Sequence, residues 1–356
     1  MSAIRLGYVG CGFMAQKVHL PNFASLPGCT ITALAEIRKD LRETVGSHFG
    51  IPRLYEDHLQ LAEDPDIDAV ALSAEFSIQN QMAEDLLKRG KSVFMEKPMA
   101  TSLERARAIL DAEAGGGGRL MVGYMKRYDS GNQAVKQYVR QFLETGEIGP
   151  VTYIRNHGFC GDWTANLDTP LFTSQEPYPA TKSARPAWLP EDRYGSYIGY
   201  LQQYTHNINL VRWLLDAGDR GSVRSVDLDD DGITGVVVLD VAGSRAVVES
   251  GGLTHYRWDE HTQVYFRDGW VKTDAPPLLL RNVPADVEVY RAGAIQEFTR
   301  VIPKPSWEWS YKREAEHFLN AVRTGEPFDS GALDTYTDVR LFEEIYRKWL
   351  TQKGEI

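Results

Sequence analysis

RLGYVGCGFMA, residues 5–15, decides how the first third of this chain folds. The run to Val9 reads as a strand, and the glycine turn after it opens a helical stretch, Met14 to Ser25. Gly10 permits a tight turn, Gly12 lets a backbone approach a pyrophosphate, and small Ala15 lets helix and strand pack closely. Phe13 and Met14 begin the helix whose free amides and positive dipole end would face phosphates. For a GxGxxA pattern alone, a purely structural turn is a fair alternative; the position between strand and helix favours a nucleotide.

The same alternation continues to residue 122. Strand-like runs at Ile4–Val9, Thr30–Glu36, Ala69–Ser73, Ser92–Met95 and Arg119–Gly123 alternate with helical stretches at 14–25, 39–49, 77–89 and 103–113, the signature of a parallel sheet. Thr101 and Glu104 form a candidate capping box for the last helix, and the run Gly115 to Gly118 stops it. Glu36 ends the second strand, where an acid can hold ribose hydroxyls and repel a 2'-phosphate; Arg38 and Lys39 blur that preference by offering cations. The strand SVFM (92–95) delivers Glu96, Lys97 and Pro98 to its carboxyl end, the edge where open parallel sheets bind ligands. A surface lysine in a turn is the alternative for that tripeptide taken by itself.

From residue 123 the grain changes. A helix is expected over Asp129–Glu144, then strands at 151–159, 223–228, 234–241, 245–250, 263–267 and 287–290, with glycine turns that suit hairpins. Two closing helices are expected at 309–323 and 333–350. The expected fold is therefore α/β: an N-terminal Rossmann parallel sheet over 1–122, then an α+β domain over 123–356 with a large, mostly antiparallel open sheet. Its C-terminal helices can pack back on the first domain. Residues 160–197 have no clear period and read as a long functional loop.

Composition narrows the function classes. The chain has 356 residues, 43% apolar and 25% charged, ordinary values for a globular protein with room for two cores. A net charge of -10 argues against nucleic acid, which calls for a basic stripe. Cys11, Cys29 and Cys160 are widely spaced and fit no metal-ligand pattern, so neither a structural zinc site nor a disulfide framework is expected. No apolar run is long enough to span a bilayer, and the N-terminus lacks a signal-peptide pattern, which points to the cytoplasm.

The glycine turn, Glu36 and the Glu96-Lys97-Pro98 tripeptide, together with EDHLQLAEDPDIDAVALS (56–73), GYMKRYD (123–129), HNINLVRWLL (206–215) and DVRLFEEIY (338–346), resemble the Gfo/Idh/MocA family of NAD(P)-dependent oxidoreductases from end to end. The resemblance implies a catalytic Lys97, often preceding a cis Lys-Pro bond, with Glu96 and Pro98 beside the cofactor. It also implies an acid/base histidine at His206, in a segment where the family commonly has Asp-x-Gly-x-His-x-x-Asp. Here both aspartates are amides, Gln202 and Asn209, and the glycine is Tyr204. A buried histidine with satisfied hydrogen bonds is the alternative for His206. Ser73-Ala74-Glu75-Phe76 replaces the family's Thr-Pro-Asn at a loop bordering the cofactor, so Ser73 is a weaker cofactor contact.

Arg127 and Tyr128 match a family segment at the substrate site, with an interdomain salt bridge the alternative for Arg127. Asn156, His157, Asp162 and Trp163 offer amide, acid and aromatic groups suited to a sugar, or aromatics that simply pack the loop. Gln202, Tyr204 and His206 complete the expected substrate set. The expected function is NAD-dependent hydride transfer, NADP being possible, to or from a sugar, glycoside or inositol-like polyol. A nucleotide-binding sensor and a reductase of non-sugar carbonyls are the alternatives. A homodimer or homotetramer is expected, because an open sheet face carrying GVVVLDV needs cover.

Overall fold

A computed structural model describes residues 3–162, 164, 169–178, 185–252 and 258–356. Trp163 lies outside the described residues. Two compact units emerge: one of Met1–Tyr124, Asp168–Pro186 and Tyr311–Val339, the other of Met125–Leu167, Ala187–Ser310 and Arg340–Ile356. Each is assembled from three stretches of chain.

In the first unit, β1 (Ile4–Val9), β2 (Cys29–Ala35), β3 (Arg53–Tyr55), β4 (Ala69–Leu72), β5 (Ser92–Glu96) and β6 (Leu120–Gly123) form one sheet in the order β3-β2-β1-β4-β5-β6. Every pair is parallel. Burial on both faces explains the unbroken apolar runs of β4 and β6, whose residues are all buried. A π-helical turn, Ala15–His19, runs into α1 (Leu20–Ser25). Then come α2 (Lys39–Phe49), α3 (His58–Ala62), α4 (Phe76–Lys88) and α5 (Leu103–Gly116). The short β3 and α3 carry too few residues for a visible period.

The expected cap at Thr101 is displaced by one residue. α5 begins at Leu103, so Ser102 is the capping residue, and its Oγ accepts the Arg105 N–H at 3.2 Å. Gly117, at φ +77, ends the helix as a left-handed C-cap.

In the second unit, α6 (Ser130–Thr145) is capped by Asp129, whose carboxylate accepts the Asn132 N–H at 2.9 Å. The sheet comprises β7 (Val151–Cys160), β8 (Gly221–Leu228), β9 (Gly235–Val241), β10 (Ser244–Gly252), β11 (Asp259–Phe266), β12 (Gly269–Asp274), β13 (Asp286–Ala292) and β14 (Gln296–Val301). Their order is β14-β13-β12-β11-β7-β10-β9-β8, antiparallel except where β7 and β10 run parallel. The strands alternate, and their inward residues (Val237, Leu239, Val241, Val264, Val289) share a core with α7 (Tyr194–Leu214). β12 and β14 are not visible in the sequence pattern: the first is short, with Lys272 and Asp274 on its half-buried face and Thr273 on its buried one, and the second is a largely exposed edge.

Two helices close the chain, α8 (Ser310–Thr324) and α9 (Ala332–Lys353). From Tyr311, α8 belongs to the first unit, and α9 passes from the first unit to the second after Val339. Among the described residues, no helix is long and apolar enough to cross a membrane.

Candidate cofactor and catalytic residues

At the carboxyl edge of the parallel sheet, the chain order reverses between β1 and β4. Gly10 follows β1 there with φ +96, and a Cβ on it would stand 2.2 Å from the Ser73 carbonyl oxygen. Only glycine fits. At Gly12 the opposite holds: among the described residues a Cβ would meet nothing within 4 Å, and the residue is exposed. Phe13 and Met14 are half-buried, while Ala15 is fully buried as close packing requires. Ser73 is held by a 2.8 Å hydrogen bond with the Tyr8 phenol. Open space over Gly12 beside a turn that cannot be filled suits a dinucleotide's pyrophosphate.

Glu36 is buried, and its two oxygens are engaged: one accepts the Cys11 N–H at 2.9 Å, the other the Arg38 Nε–H at 2.8 Å. Arg38 in turn lies over the Tyr178 ring at 4.9 Å. Tyr178 comes from the stretch 169–178, whose attachment no local pattern announced. Lys17 Nζ donates to the Thr169 carbonyl at 2.5 Å, and Gln16 exchanges hydrogen bonds with the Phe172 main chain at 2.9 and 3.0 Å. Glu176 accepts the Lys39 and Asp40 amides at 3.0 and 2.8 Å, supplying the N-terminal cap that α2 lacks from Arg38. Long-range hydrogen bonds thus hold part of the aperiodic loop against the nucleotide edge.

Lys97 follows β5, half-buried, and the Lys97-Pro98 bond is cis. Its ammonium lies 5.7 Å from the Phe76 ring centre, a cation–π arrangement from the segment where the chain departs from the family's Thr-Pro-Asn. Main-chain contacts clamp both sides of the lysine. Gln79, fully buried on α4, donates Nε2 to the Glu96 and Pro98 carbonyls, each at 3.0 Å. Glu96 accepts the Lys97 N–H at 3.0 Å. The signal for Gln79 in the sequence is a glutamine among the apolar positions of α4.

In the second unit, His206 is buried on α7 at 3% exposure. Arg127 is buried too, donating Nε–H to Asn209 Oδ1 at 2.7 Å, so the amide that replaces a family aspartate serves as the arginine's acceptor. Tyr128 is buried and Gln202 exposed.

Two expected substrate contacts have other engagements. Asn156 is fully buried; Nδ2 donates to Thr262 Oγ1 and Oδ1 accepts from Asn207 Nδ2, both at 2.7 Å. The Tyr204 hydroxyl donates to the Gly251 carbonyl and accepts the Gly251 N–H at 2.8 Å, while burial pushes the phenol pKa well up. Both side chains brace β7 and β10 against α7. Sequence alternation could not say which face of β7 the helix covers. His157, next to Asn156, lies on the other face, sharing a hydrogen bond with Glu249 at 2.5 Å and stacking on His261. Asp162 is exposed and accepts the Thr164 N–H at 2.9 Å. A buried ion pair between Lys126 and Glu260, with Asn207 beside it, escaped sequence reading altogether.

A parallel sheet with a glycine turn at its strand-order reversal and a clamped lysine at its carboxyl edge defines an NAD(P)-dependent oxidoreductase of the Rossmann type. Residues 4–124 match the model of an oxidoreductase family with an NAD-binding Rossmann fold. The chain is 28% identical to an inositol 2-dehydrogenase of Agrobacterium fabrum over 348 residues, covering 94% of this chain and 90% of the relative. Over these spans the chain is similar to Gfo/Idh/MocA oxidoreductases, which supports an NAD(P)-dependent dehydrogenase acting on CH–OH groups. Solved structures share the fold: an aldose-aldose oxidoreductase from Caulobacter crescentus (20% identity, TM-score 0.73, covering 99% and 98% of the two chains), and a 3-ketoreductase from Actinomadura kijaniata in complex with NADP (17%, 0.73, 98% of each).

Proposed function

We propose that this protein transfers a hydride between NAD and a secondary alcohol or ketone of a sugar, glycoside or inositol-like polyol. The observation that carries the reading is the clamp on Lys97: two carbonyls pinned by Gln79 and one amide held by Glu96 aim a half-buried lysine from the sheet's ligand edge. When bound, the dinucleotide supplies the hydride acceptor or donor. Gly10 and Gly12 shape the turn that receives its phosphates, and Glu36 with Arg38 meets its ribose. The Lys97 ammonium donates to the substrate oxygen, stabilising alkoxide as it develops. His206, on its family match, takes the hydroxyl proton or returns it. Tyr204, held by main chain, leaves that work to these two.

Polyol chemistry is supported by similarity to proteins named as an inositol 2-dehydrogenase, an aldose-aldose oxidoreductase and a 3-ketoreductase. NAD is preferred because the Glu36 carboxylate would repel a 2'-phosphate; calorimetric titration that found NADP tighter would contradict this. A cytoplasmic homodimer or homotetramer is part of the proposal, and light scattering that gave a 40.1 kDa species at micromolar concentration would oppose it. The decisive assay follows nicotinamide absorbance with either cofactor and a panel of inositols, sugars and glycosides. Turnover should fall at least about 100-fold in Lys97→Ala. Equal rates in that variant would overturn the catalytic role.

A further inference from the structure

Behind the Lys97 clamp, Glu96 belongs to a buried polar cluster whose other members have no part in the chemistry above. His19 ends the π-helical turn, Glu96 ends β5 and Glu314 sits on α8, with one ligand-type atom of each lying within 4.8 Å of the others. None is more than 4% exposed. Aromatic rings wall the cluster: Phe94 and Tyr311 pack edge-on to His19 at 5.1 and 6.1 Å, and Phe318 packs on Phe94 at 5.8 Å. Glu96 shares a 2.7 Å hydrogen bond with His19 Nε2 through one oxygen and accepts the Lys97 N–H through the other. Among the described residues, neither oxygen of Glu314 has a hydrogen-bond donor.

Two carboxylates cannot both stay charged in such a place unless a cation lies between them. A metal ion is one remedy and a proton the other. The spacing favours the proton. At 2.7 Å, His19 Nε2 and Glu96 Oε1 stand at hydrogen-bond distance. Two ligands bonded at roughly 2.0–2.2 Å to one tetrahedral zinc would lie about 3.3–3.6 Å apart. Burial first, and the Glu96 charge second, hold the Glu314 carboxyl well above the usual carboxylate range. The other titratable groups around the cluster are Lys97 beyond β5, Tyr311 on α8, and Tyr8 on β1, whose phenol is held high by burial although Ser73 hydrogen-bonds it.

We propose that Glu314 is a positioning residue: a neutral carboxylic acid that offers its proton to Glu96, and so steadies the carboxylate that holds the main chain at Lys97. The proposal rests on the catalytic role given to Lys97. No bond to substrate is made or broken by Glu314, and its proton stays within the cluster.

Infrared difference spectroscopy of the full chain, wild type against Glu314→Gln at neutral pH, tests the protonation directly. The expected result is loss of a protonated-carboxyl carbonyl band that shifts in deuterium oxide. Loss of carboxylate bands alone would overturn the proposal, as would one equivalent of divalent metal found by elemental analysis of the wild-type protein. Kinetics test the positioning. Glu314→Leu, which removes the donor, should lower kcat about tenfold with little change in cofactor KM, and Glu314→Gln, which keeps a neutral donor, should recover most of that loss. Leucine and glutamine variants equally impaired, or both at the wild-type rate, would overturn positioning; should the leucine variant not fold, the infrared result on the glutamine variant still decides. A Lys97→Ala enzyme that keeps turnover would remove the catalytic reading while leaving the infrared band in place. A missing band with Lys97→Ala inactive would remove only this inference.

Discussion

Substituting alanine at Gly10 and at Gly12 should separate folding from cofactor binding within a single turn. At Gly10, φ +96 places an L side chain in a region that costs it about 1–2 kcal/mol. The new Cβ would also stand 2.2 Å from the Ser73 carbonyl oxygen, so that backbone must retreat by about 1 Å to reach ordinary contact. Retreat strains the hydrogen bonds from Gly10 N–H to Ala35 (2.8 Å) and from Ser73 N–H to Val9 (3.1 Å), each contributing about 1 kcal/mol. Gly10→Ala should therefore destabilise the apo protein by about 3–4 kcal/mol. Gly12 lies outside the left-handed region, and its Cβ would touch none of the described residues. Gly12→Ala should leave apo stability unchanged or raise it by about 0.4–1 kcal/mol, because alanine restricts the unfolded chain. Yet it should weaken NAD binding about tenfold or more, if the pyrophosphate lies against that open space. Urea unfolding without cofactor and fluorescence titration with cofactor measure the two effects independently. Stability of Gly10→Ala within about 0.5 kcal/mol of wild type would refute the steric reading. Unchanged affinity in Gly12→Ala would refute the placement of the dinucleotide.

Gln79→Leu should cost about 2 kcal/mol of stability, since the Glu96 and Pro98 carbonyls lose their side-chain donor in a buried setting; calorimetry checks this, and kcat should fall with it as Lys97 loosens. Asp216 has its carboxyl pKa lowered to about 2, chiefly by its hydrogen bond to Arg140 and then by Lys136. A lowered pKa stabilises the fold above the unfolded value near 3.9 and loses that contribution as pH falls toward 2. The carboxylate is half exposed, so solvent screening limits the contribution to about 1 kcal/mol. Asp216→Asn should be less stable than wild type by that amount at pH 7, and the difference should vanish in chemical denaturation near pH 2.

Local chemistry was enough for the elements that carry a period. The span of α2 was read residue for residue, β1 likewise, and the glycine turn was placed because Gly10 and Gly12 stand directly between a strand and a helix. The Glu96-Lys97-Pro98 edge was legible for the same reason: the apolar run of β5 ends there. Short or edge elements such as β3 and β14 were not, since three exposed or half-exposed residues, or an edge strand open to solvent, need no apolar alternation.

The identities of the candidate residues were written in the chain, but their engagements were not. Alternation in β7 places Asn156 and His157 on opposite faces, and the packing of α7 alone decides that Asn156 is the buried one. Tyr204 is expected from the sequence to touch substrate, but the main chain of β10 takes its hydroxyl. Glu176 capping α2, Gln79 clamping Lys97 and Glu314 facing Glu96 join residues separated by long stretches of chain. Side-chain hydrogen bonds over such distances depend on where the backbone has already been placed, and hydrophobic burial places it cooperatively over a whole core. Residue type and spacing therefore settled which chemistry this chain can carry, and packing settled which side chains are spent on holding it.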